Sequence, residues 1–302
     1  MQIAQTELPR TASPRGHLFG QSAALVTPFT ASGSIDLERL QSHVESISDA
    51  IDGVTLFGTT GEGASLGQKE RETAIDAVLD TGMSASRVTV AVISCDIETC
   101  EAMVRTAAKR GVSRFLLAPP FYFKGIDDAA LERWVASLVG KVSDLDVQFI
   151  LYHIPQVTGV SFNVPVIRSI MASCGTAIFG IKDSAGDWNH SCQILPMDDL
   201  AILIGDERLL ARAAPLGCAG SISGMANLVP DVIAAMIHNG TPCQELVSIV
   251  EAIVSVPVTP LVKALVGSSR NDPEWFRTRP PLSPADSVIV SDLTPLIMSL
   301  RS

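Results

Sequence analysis

The chain has 302 residues, of which 47% are hydrophobic and 18% are charged, and its formal net charge is -10. An acidic surface of this kind repels polyphosphates, so the composition argues against a nucleic-acid partner. No apolar run approaches the roughly 20 residues of a membrane-spanning helix, and the first residues lack the apolar core of a signal peptide. The six cysteines form no CxxC pair, which argues against a zinc site or a disulfide framework. Composition therefore predicts a soluble cytoplasmic protein with reduced thiols and no membrane partner.

Eight short apolar runs follow one another along the chain, and their continuous hydrophobicity is typical of strands in a parallel sheet buried on both faces. The predicted strands are residues 22–29, 53–58, 87–94, 114–119, 147–154, 178–182, 201–206 and 220–224. Most intervals between them carry apolar residues at helical spacing. Asp36 is a predicted N-cap of one helix, and Gly82 is a predicted C-cap of another.

Eight alternating strand and helix units predict an α/β fold, a closed (β/α)8 TIM barrel. A doubly wound open sheet shares this local pattern, but the count of eight and the lack of a dinucleotide fingerprint favour the barrel. We expect residues 1–17 to form an N-terminal arm and residues 18–228 to form the barrel. Residues 229–302 are too many for one helix, so they should hold the last barrel helix and a C-terminal helical extension.

Reactive groups of such a barrel gather at the C-terminal ends of its strands. Lys182 lies in the sixth strand, where a charged amine is costly to bury. An amine is a nucleophile only when uncharged, a form that apolar walls favour, and the neighbours Ile178, Phe179 and Ile181 could provide these walls. The alternative is a lysine at the end of a strand that reaches solvent or a carboxylate.

Two further features of the strand ends have two interpretations each. The loop GTTGEG, residues 58–63, could hold a carboxylate on its backbone N–H groups and hydroxyls, or simply connect a strand to a helix. Tyr152 could carry a proton, or could be an aromatic plug at the rim of the barrel. The five histidines show no metal-ligand spacing, so we expect no metal.

The motifs GTTGEG, YHIPQVTG and GIKDSAGD, in this order, resemble the dihydrodipicolinate synthase/N-acetylneuraminate lyase family. The similarity extends from about residue 18 to at least residue 227. It implies a (β/α)8 barrel that assembles as a homotetramer, a dimer of dimers. It also implies a Schiff base between a lysine and pyruvate or another 2-keto acid, formed without a metal or an organic cofactor.

By the same resemblance, Lys182 is the expected Schiff-base lysine, Tyr152 the proton-transfer tyrosine and Thr59 the relay hydroxyl. The residues expected to bind the substrate are Gly58, Thr60, Val157, Gly205 and Ile222. A second relay tyrosine of the family comes from a neighbouring subunit. The matching segment APPFYFKG leaves its position open between Phe121 and Tyr122. Tyr122 is the preferred residue because phenylalanine cannot transfer a proton.

Val157 is where this chain departs from the synthases of the family, which have an arginine at this position. That arginine meets the carboxylate of aspartate semialdehyde, and valine offers neither its charge nor its donors. The lyase branches have an apolar residue here, and GIKDSAGD is close to the motif of enzymes that act on 2-keto-3-deoxy sugar acids.

The resemblance therefore favours a lyase or aldolase that acts on pyruvate or a 2-keto(-3-deoxy) acid. One alternative is a 4-hydroxy-tetrahydrodipicolinate synthase, which condenses pyruvate with aspartate semialdehyde. Another is a 2-keto-3-deoxy sugar-acid dehydratase. A hypothesis of a different class is a non-catalytic keto-acid-binding homologue, which the intact Lys182, Tyr152 and Thr59 disfavour.

Overall fold

A computed structural model describes residues 19–301, so the expected arm at 1–17 lies outside the described residues. Eight parallel strands close into a barrel in chain order, with β8 hydrogen-bonded to β1. The strands are β1 Gly20–Ala24, β2 Gly53–Leu56, β3 Val88–Val92, β4 Arg114–Leu117, β5 Gln148–His153, β6 Ile178–Asp183, β7 Ala201–Ile204 and β8 Gly220–Ser223. The predicted (β/α)8 barrel is confirmed.

Helices surround the barrel and continue beyond its last strand. Within residues 19–301 they are α1 Leu37–Ile47, α2 Gln68–Asp80, α3 Ile97–Ala108, α4 Asp128–Lys141, α5 Pro155–Thr158, α6 Val164–Cys174, α7 Trp188–Ile194, α8 Glu207–Ala213, α9 Pro230–Asn239, α10 Gln244–Val254, α11 Val258–Ser269 and α12 Ser287–Ser299. The helices after β8 form the predicted C-terminal helical extension. In this described part of the chain, no helix combines the length and the apolar character needed to cross a bilayer.

The first strand is shorter than predicted, because the apolar run extends beyond the end of the strand. The run predicts a strand at 22–29, whereas β1 ends at Ala24. Leu25, Val26 and Phe29 are buried, although they lie in the loop above the barrel. Hydrophobicity in this segment reports burial of the loop rather than pairing in the sheet.

Alternation along the strands gives the core two layers, one inside the barrel and one between the barrel and its helices. Tyr152 belongs to the inner cluster, and Lys182 stands in register with it on β6. Ile178 and Ile181 belong to the outer cluster. The expectation that they would form the apolar walls around Lys182 is therefore wrong. Alternation turns Ile181 toward the helices, and a register shift between β5 and β6 turns Ile178 the same way, whereas Phe179 belongs to the inner cluster.

A buried ion pair ties the loop after β2 to α11. The side chains of Glu62 and Lys263 are both fully buried and in contact. The Lys263 amine also donates a hydrogen bond to the carbonyl of Thr27 at 3.0 Å, and it lies 4.2 Å from the centre of the Phe29 ring. The other Glu62 oxygen accepts a hydrogen bond from the backbone N–H of Arg279 at 3.0 Å. The C-terminal helices therefore help to hold the GTTGEG loop in place.

Breaking this pair should destabilise the fold, because one charge would remain buried without a partner. We expect Lys263→Met to lower the free energy of unfolding by about 3 to 5 kcal/mol, measured by urea denaturation followed by circular dichroism. The matched control is Lys141→Met. Its amine lies 3.2 Å from Glu101 at an exposed position, so this change should have a much smaller effect. Equal losses in the two variants would contradict the role given to the buried pair.

Candidate active site

Three of the residues expected to be catalytic meet inside the barrel, at the C-terminal ends of its strands. Lys182 on β6 and Tyr152 on β5 are in register, and their side chains are only 5% and 3% exposed. The Lys182 amine lies 4.4 Å from the centre of the Tyr152 ring. The Thr59 hydroxyl, from the loop after β2, lies 3.2 Å from the Tyr152 hydroxyl. The site therefore places an amine and two coupled hydroxyls side by side.

The amine of Lys182 differs from that of the other buried lysine in the partners around it. Lys263 is neutralised by Glu62. No carboxylate within residues 19–301 forms an ion pair with Lys182, whose nearest aromatic contact is the face of Tyr152. The site therefore leaves the Lys182 amine available to a ligand.

Gly205, at the end of β7, brings backbone close to this amine. A Cβ atom at this position would lie 2.8 Å from Cε of Lys182 and 2.1 Å from Oγ of Ser184. Glycine is therefore required by packing, as expected for a residue whose backbone faces the ligand. Ile222 on β8 is buried in the inner cluster, where it adds an apolar surface to the site.

Ser184 is a site residue that the sequence reasoning missed. Its hydroxyl oxygen is buried and has no hydrogen-bond partner among the described residues. Because strand residues two apart face the same side, its position two residues after Lys182 is the signal that could have revealed it. An unpaired buried hydroxyl is a candidate contact for a polar atom of a ligand.

A cavity of about 520 Å³ opens at this end of the barrel. Most of the expected site residues line it, namely Thr59, Thr60, Tyr152, Val157, Lys182, Gly205 and Ile222. Gly58 does not line it, because it is buried in the turn, where its carbonyl accepts a hydrogen bond from the N–H of Gly63 at 3.1 Å. Val157 lies at the edge of the cavity and is 58% exposed.

Tyr122 is separate from the site of its own chain. It lies in the loop between β4 and α4, and its side chain is 76% exposed. Its ring packs edge-on against that of Phe123, with 5.5 Å between the ring centres. Phe121 instead lines a smaller cavity beside Tyr152. The role expected for Tyr122 in a neighbouring subunit stays a prediction.

Behind Lys182, on the outer face of the sheet, a second polar cluster holds the end of β6. His153, Asp183 and His190 place their polar atoms within 4.8 Å of one another. These atoms are already engaged, because Nδ1 of His190 lies 3.1 Å from Asp183, and its Nε2 lies 2.9 Å from the carbonyl of Phe162. The N–H of Phe162 donates to Nδ1 of His153 at 3.0 Å. Both nitrogens of His190 face acceptors, so the protonated ring satisfies this cluster.

The pKa values of the cluster agree with an ion pair. Burial opposes the charge of His190, but the hydrogen bond and the charge of Asp183 outweigh it and raise the His190 pKa. Burial also opposes the charge of Asp183, yet His190 and Ser191 hold the pKa of this carboxyl below its ordinary value. Burial, together with the neighbouring His190, lowers the pKa of His153 to about 4. Asp183 adjoins Lys182, so the pair fixes the strand end that presents the amine.

The pair should stabilise the fold in a limited pH window. Because the pKa of His190 is raised in the folded protein, its interaction with Asp183 stabilises the fold fully below the ordinary histidine pKa of 6.5. This contribution is lost as the pH rises through the pKa of the folded state. Because the pKa of Asp183 is lowered, this carboxylate contributes its stabilisation above the ordinary aspartate pKa of 3.8. That contribution is lost as the pH falls through the pKa of the folded state. We therefore expect His190→Gln to lower the thermal midpoint more at about pH 5.5 than at about pH 9, measured by calorimetry.

The matched control for this experiment is His238→Gln on α9, where the histidine is exposed. Its effect should be small at both pH values. If His190→Gln lowered the thermal midpoint equally at both pH values, the ion pair inferred from the geometry would be wrong.

Comparison with known proteins identifies the family of the chain. The model of the dihydrodipicolinate synthetase family matches residues 17–287. An uncharacterized DapA-like lyase of Chloroflexus aurantiacus is 33% identical over 93% of this chain and 95% of that protein. A 4-hydroxy-tetrahydrodipicolinate synthase of Methanosarcina mazei is 33% identical over 72% of this chain and 74% of its own.

Among solved structures, a dihydrodipicolinate synthase from Agrobacterium tumefaciens superposes with a TM-score of 0.89. It is 36% identical to this protein, and the match covers 93% of this chain and 99% of that one. The fold, the motifs and these relatives agree, and the chain belongs to the dihydrodipicolinate synthetase family of lyases.

Proposed function

We propose that this protein is a Schiff-base-forming lyase or aldolase that acts on pyruvate or a 2-keto(-3-deoxy) acid through an imine to Lys182. The observation that carries the proposal is the position of the Lys182 amine, buried over the Tyr152 ring and open to the cavity. The hydroxyl of Tyr152, held by Thr59, is the proton carrier that such chemistry requires.

The reaction begins when the uncharged amine attacks the 2-keto carbon and forms a carbinolamine. Tyr152, relayed by Thr59, protonates the departing hydroxyl, and water leaves to give the protonated imine. The imine draws electrons from C3, so that C3 loses a proton or a carbon fragment and an enamine forms. The enamine then takes a proton, or the carbonyl carbon of an aldehyde, at C3 and becomes the protonated imine again. Water adds to this imine, and its hydrolysis releases the product and restores Lys182. The imine is the electron sink, so the proposed mechanism uses no metal or organic cofactor.

The loop after β2 orients the substrate in this proposal. Thr60 and the backbone N–H groups beside it are assigned to the carboxylate of the keto acid. The loop is held from outside, because the Thr259 hydroxyl donates to the carbonyl of Thr59 at 3.0 Å, and Glu62 pairs with Lys263. A fixed carboxylate presents the keto carbon to the amine in one orientation. The unpaired Ser184 hydroxyl lies beside the Lys182 stem, since a Cβ at Gly205 would meet both side chains, and it is assigned to an oxygen atom at the reacting carbons of the substrate.

A second candidate is condensation of pyruvate with aspartate semialdehyde, which the names of two relatives favour. Val157, where the resemblance expects an arginine, argues against it. The basic side chains that line the cavity in the described structure are Lys182 and Arg208. Arg208 is occupied by Asp206 through hydrogen bonds of 2.9 and 2.6 Å. The carboxylate of aspartate semialdehyde would therefore lack a free cation. A robust rate of condensation between pyruvate and aspartate semialdehyde would favour this candidate over ours.

A 2-keto-3-deoxy sugar-acid dehydratase is the remaining alternative. It would use the same imine and enamine, with a hydroxyl group leaving from C4 in place of a carbon fragment. The contacts of Lys182 and Tyr152 serve both reactions equally.

We further propose that the enzyme is a cytoplasmic homotetramer, a dimer of dimers, in which Tyr122 reaches the site of a neighbouring subunit. The exposed aromatic pair of Tyr122 and Phe123 supports this assembly, because such surfaces are enriched in protein interfaces. The six cysteines are free thiols in the structure, as is usual in the cytoplasm.

Chemical trapping tests the proposed function. Incubation with pyruvate and sodium borohydride should attach the reduced pyruvate adduct to Lys182, located by tandem mass spectrometry, because borohydride reduces an imine to a stable amine. Lys263 is an internal control, since it is more deeply buried than Lys182 but occupied by Glu62, and it should stay unmodified. Folded protein that carries no adduct on Lys182 would refute the proposal.

A further inference from the structure

The cavity above Lys182 is larger than a three-carbon acid requires. Its volume of about 520 Å³ falls among pockets that enclose drug-sized ligands, roughly 300 to 1,000 Å³. The groups assigned to pyruvate, namely Lys182, Tyr152 and the Thr59–Thr60 loop, account for only part of its lining. The rest of the cavity is therefore available to the part of a substrate that lies beyond C3.

One side of the cavity is an apolar wall formed by α10 and the first turns of α11. We use this name for the aliphatic residues Val250, Ile253, Val254, Val258 and Val262. Val254 and Val258 end and begin their helices, and they are 43% and 38% exposed. Thr259 is the polar side chain on this wall among the described lining residues, and its hydroxyl is occupied by the carbonyl of Thr59. The wall therefore offers a ligand almost only hydrophobic contact.

The charged side chains that line the cavity near the apolar wall are occupied as well. Arg208 and Asp206 neutralise each other through two hydrogen bonds. Glu207 accepts hydrogen bonds from the hydroxyl of Ser223 at 2.6 Å and from a backbone N–H at 3.2 Å, and burial raises its pKa. The amide of Gln156 donates to a backbone carbonyl at 2.7 Å. A charged tail on the substrate would lose hydration here without gaining an unpaired charge of opposite sign.

We infer that the apolar wall is a subsite for a hydrophobic substituent, so that the substrate is a 2-keto acid with an aliphatic or aromatic group beyond C3. This inference rests on the proposed function, because it takes the imine at Lys182 as the fixed end of the substrate. An apolar tail gains the free energy of burial against the wall. A polyhydroxyl or charged tail laid against the wall would lose water and meet aliphatic side chains there, because the unpaired Ser184 hydroxyl lies beside the Lys182 stem, where a Cβ at Gly205 would meet both side chains. The matching aldehyde fragment is an uncharged, hydrophobic aldehyde.

Three 2-keto acids with different tails test the inference directly, whatever reaction follows the imine. They are 2-oxo-4-phenylbutanoate with an apolar tail, 2-oxoglutarate with a charged tail and 2-keto-3-deoxygluconate with a polyhydroxyl tail. Each is titrated against the enzyme with sodium borohydride, and the labelled fraction of Lys182 is measured by mass spectrometry. We expect half-maximal labelling by the phenyl acid at a concentration about tenfold lower than by either other acid.

Two substitutions in the apolar wall should weaken this preference. Val254→Asn and Val258→Asn should each raise the half-labelling concentration of the phenyl acid about fivefold, because they place an amide against its ring. The matched control is Val288→Asn on α12. Val288 is also an exposed helical valine, 65% exposed, but it does not line the cavity. This control should bind the phenyl acid as the unmodified enzyme does.

The outcomes separate this inference from the proposed function. If pyruvate labels Lys182 but the phenyl acid labels it no more readily than 2-oxoglutarate does, the subsite is refuted and the proposed function stands. If no 2-keto acid labels Lys182, both are refuted. Equal sensitivity of the wall variants and the Val288 control would also overturn the subsite.

Discussion

The contact between the Lys182 amine and the face of the Tyr152 ring is the interaction on which the rest of the site depends. It exists because neighbouring parallel strands are in register, which turns Lys182 and Tyr152 into the barrel at the same level. The distance of 4.4 Å from the amine to the ring centre places the amine over the ring that carries the hydroxyl proposed to move its protons. Thr59 and Gly205 complete the arrangement, one by holding that hydroxyl and the other by leaving space for the lysine stem.

Polar pairs outside the barrel fix the parts that meet inside it. Asp183 and His190 hold the end of β6 from behind, next to the residue that presents the amine. Glu62 and Lys263 hold the loop after β2 from the side of α11. Burying such pairs costs free energy of desolvation. Their position directly behind reactive groups allows them to hold those groups in place. The C-terminal helices therefore contribute both to the stability of the loop and to the shape of the cavity.

The sequence predicts the barrel and the inward direction of Lys182 because both follow from local pattern, apolar runs at regular spacing and alternation along a strand. It fails where contacts depend on distant segments. Ile178 lies four residues before Lys182, so alternation predicts that both face inward, but the register shift against β5 turns Ile178 toward the helices. Glu62 and Lys263 are 201 residues apart, so no local pattern reveals their pairing. The apolar wall likewise arises from helices that the sequence indicates only as an extension.

In the proposed mechanism, the amine of Lys182 bonds covalently to the keto carbon of the substrate. A crystal structure of the enzyme soaked in pyruvate would show this bond. We predict continuous electron density from Nζ of Lys182 to C2 of pyruvate, with the carboxylate on the loop of Thr59 and Thr60. Pyruvate bound in the cavity as a free acid, with an unmodified Lys182 at its side, would contradict the proposed imine.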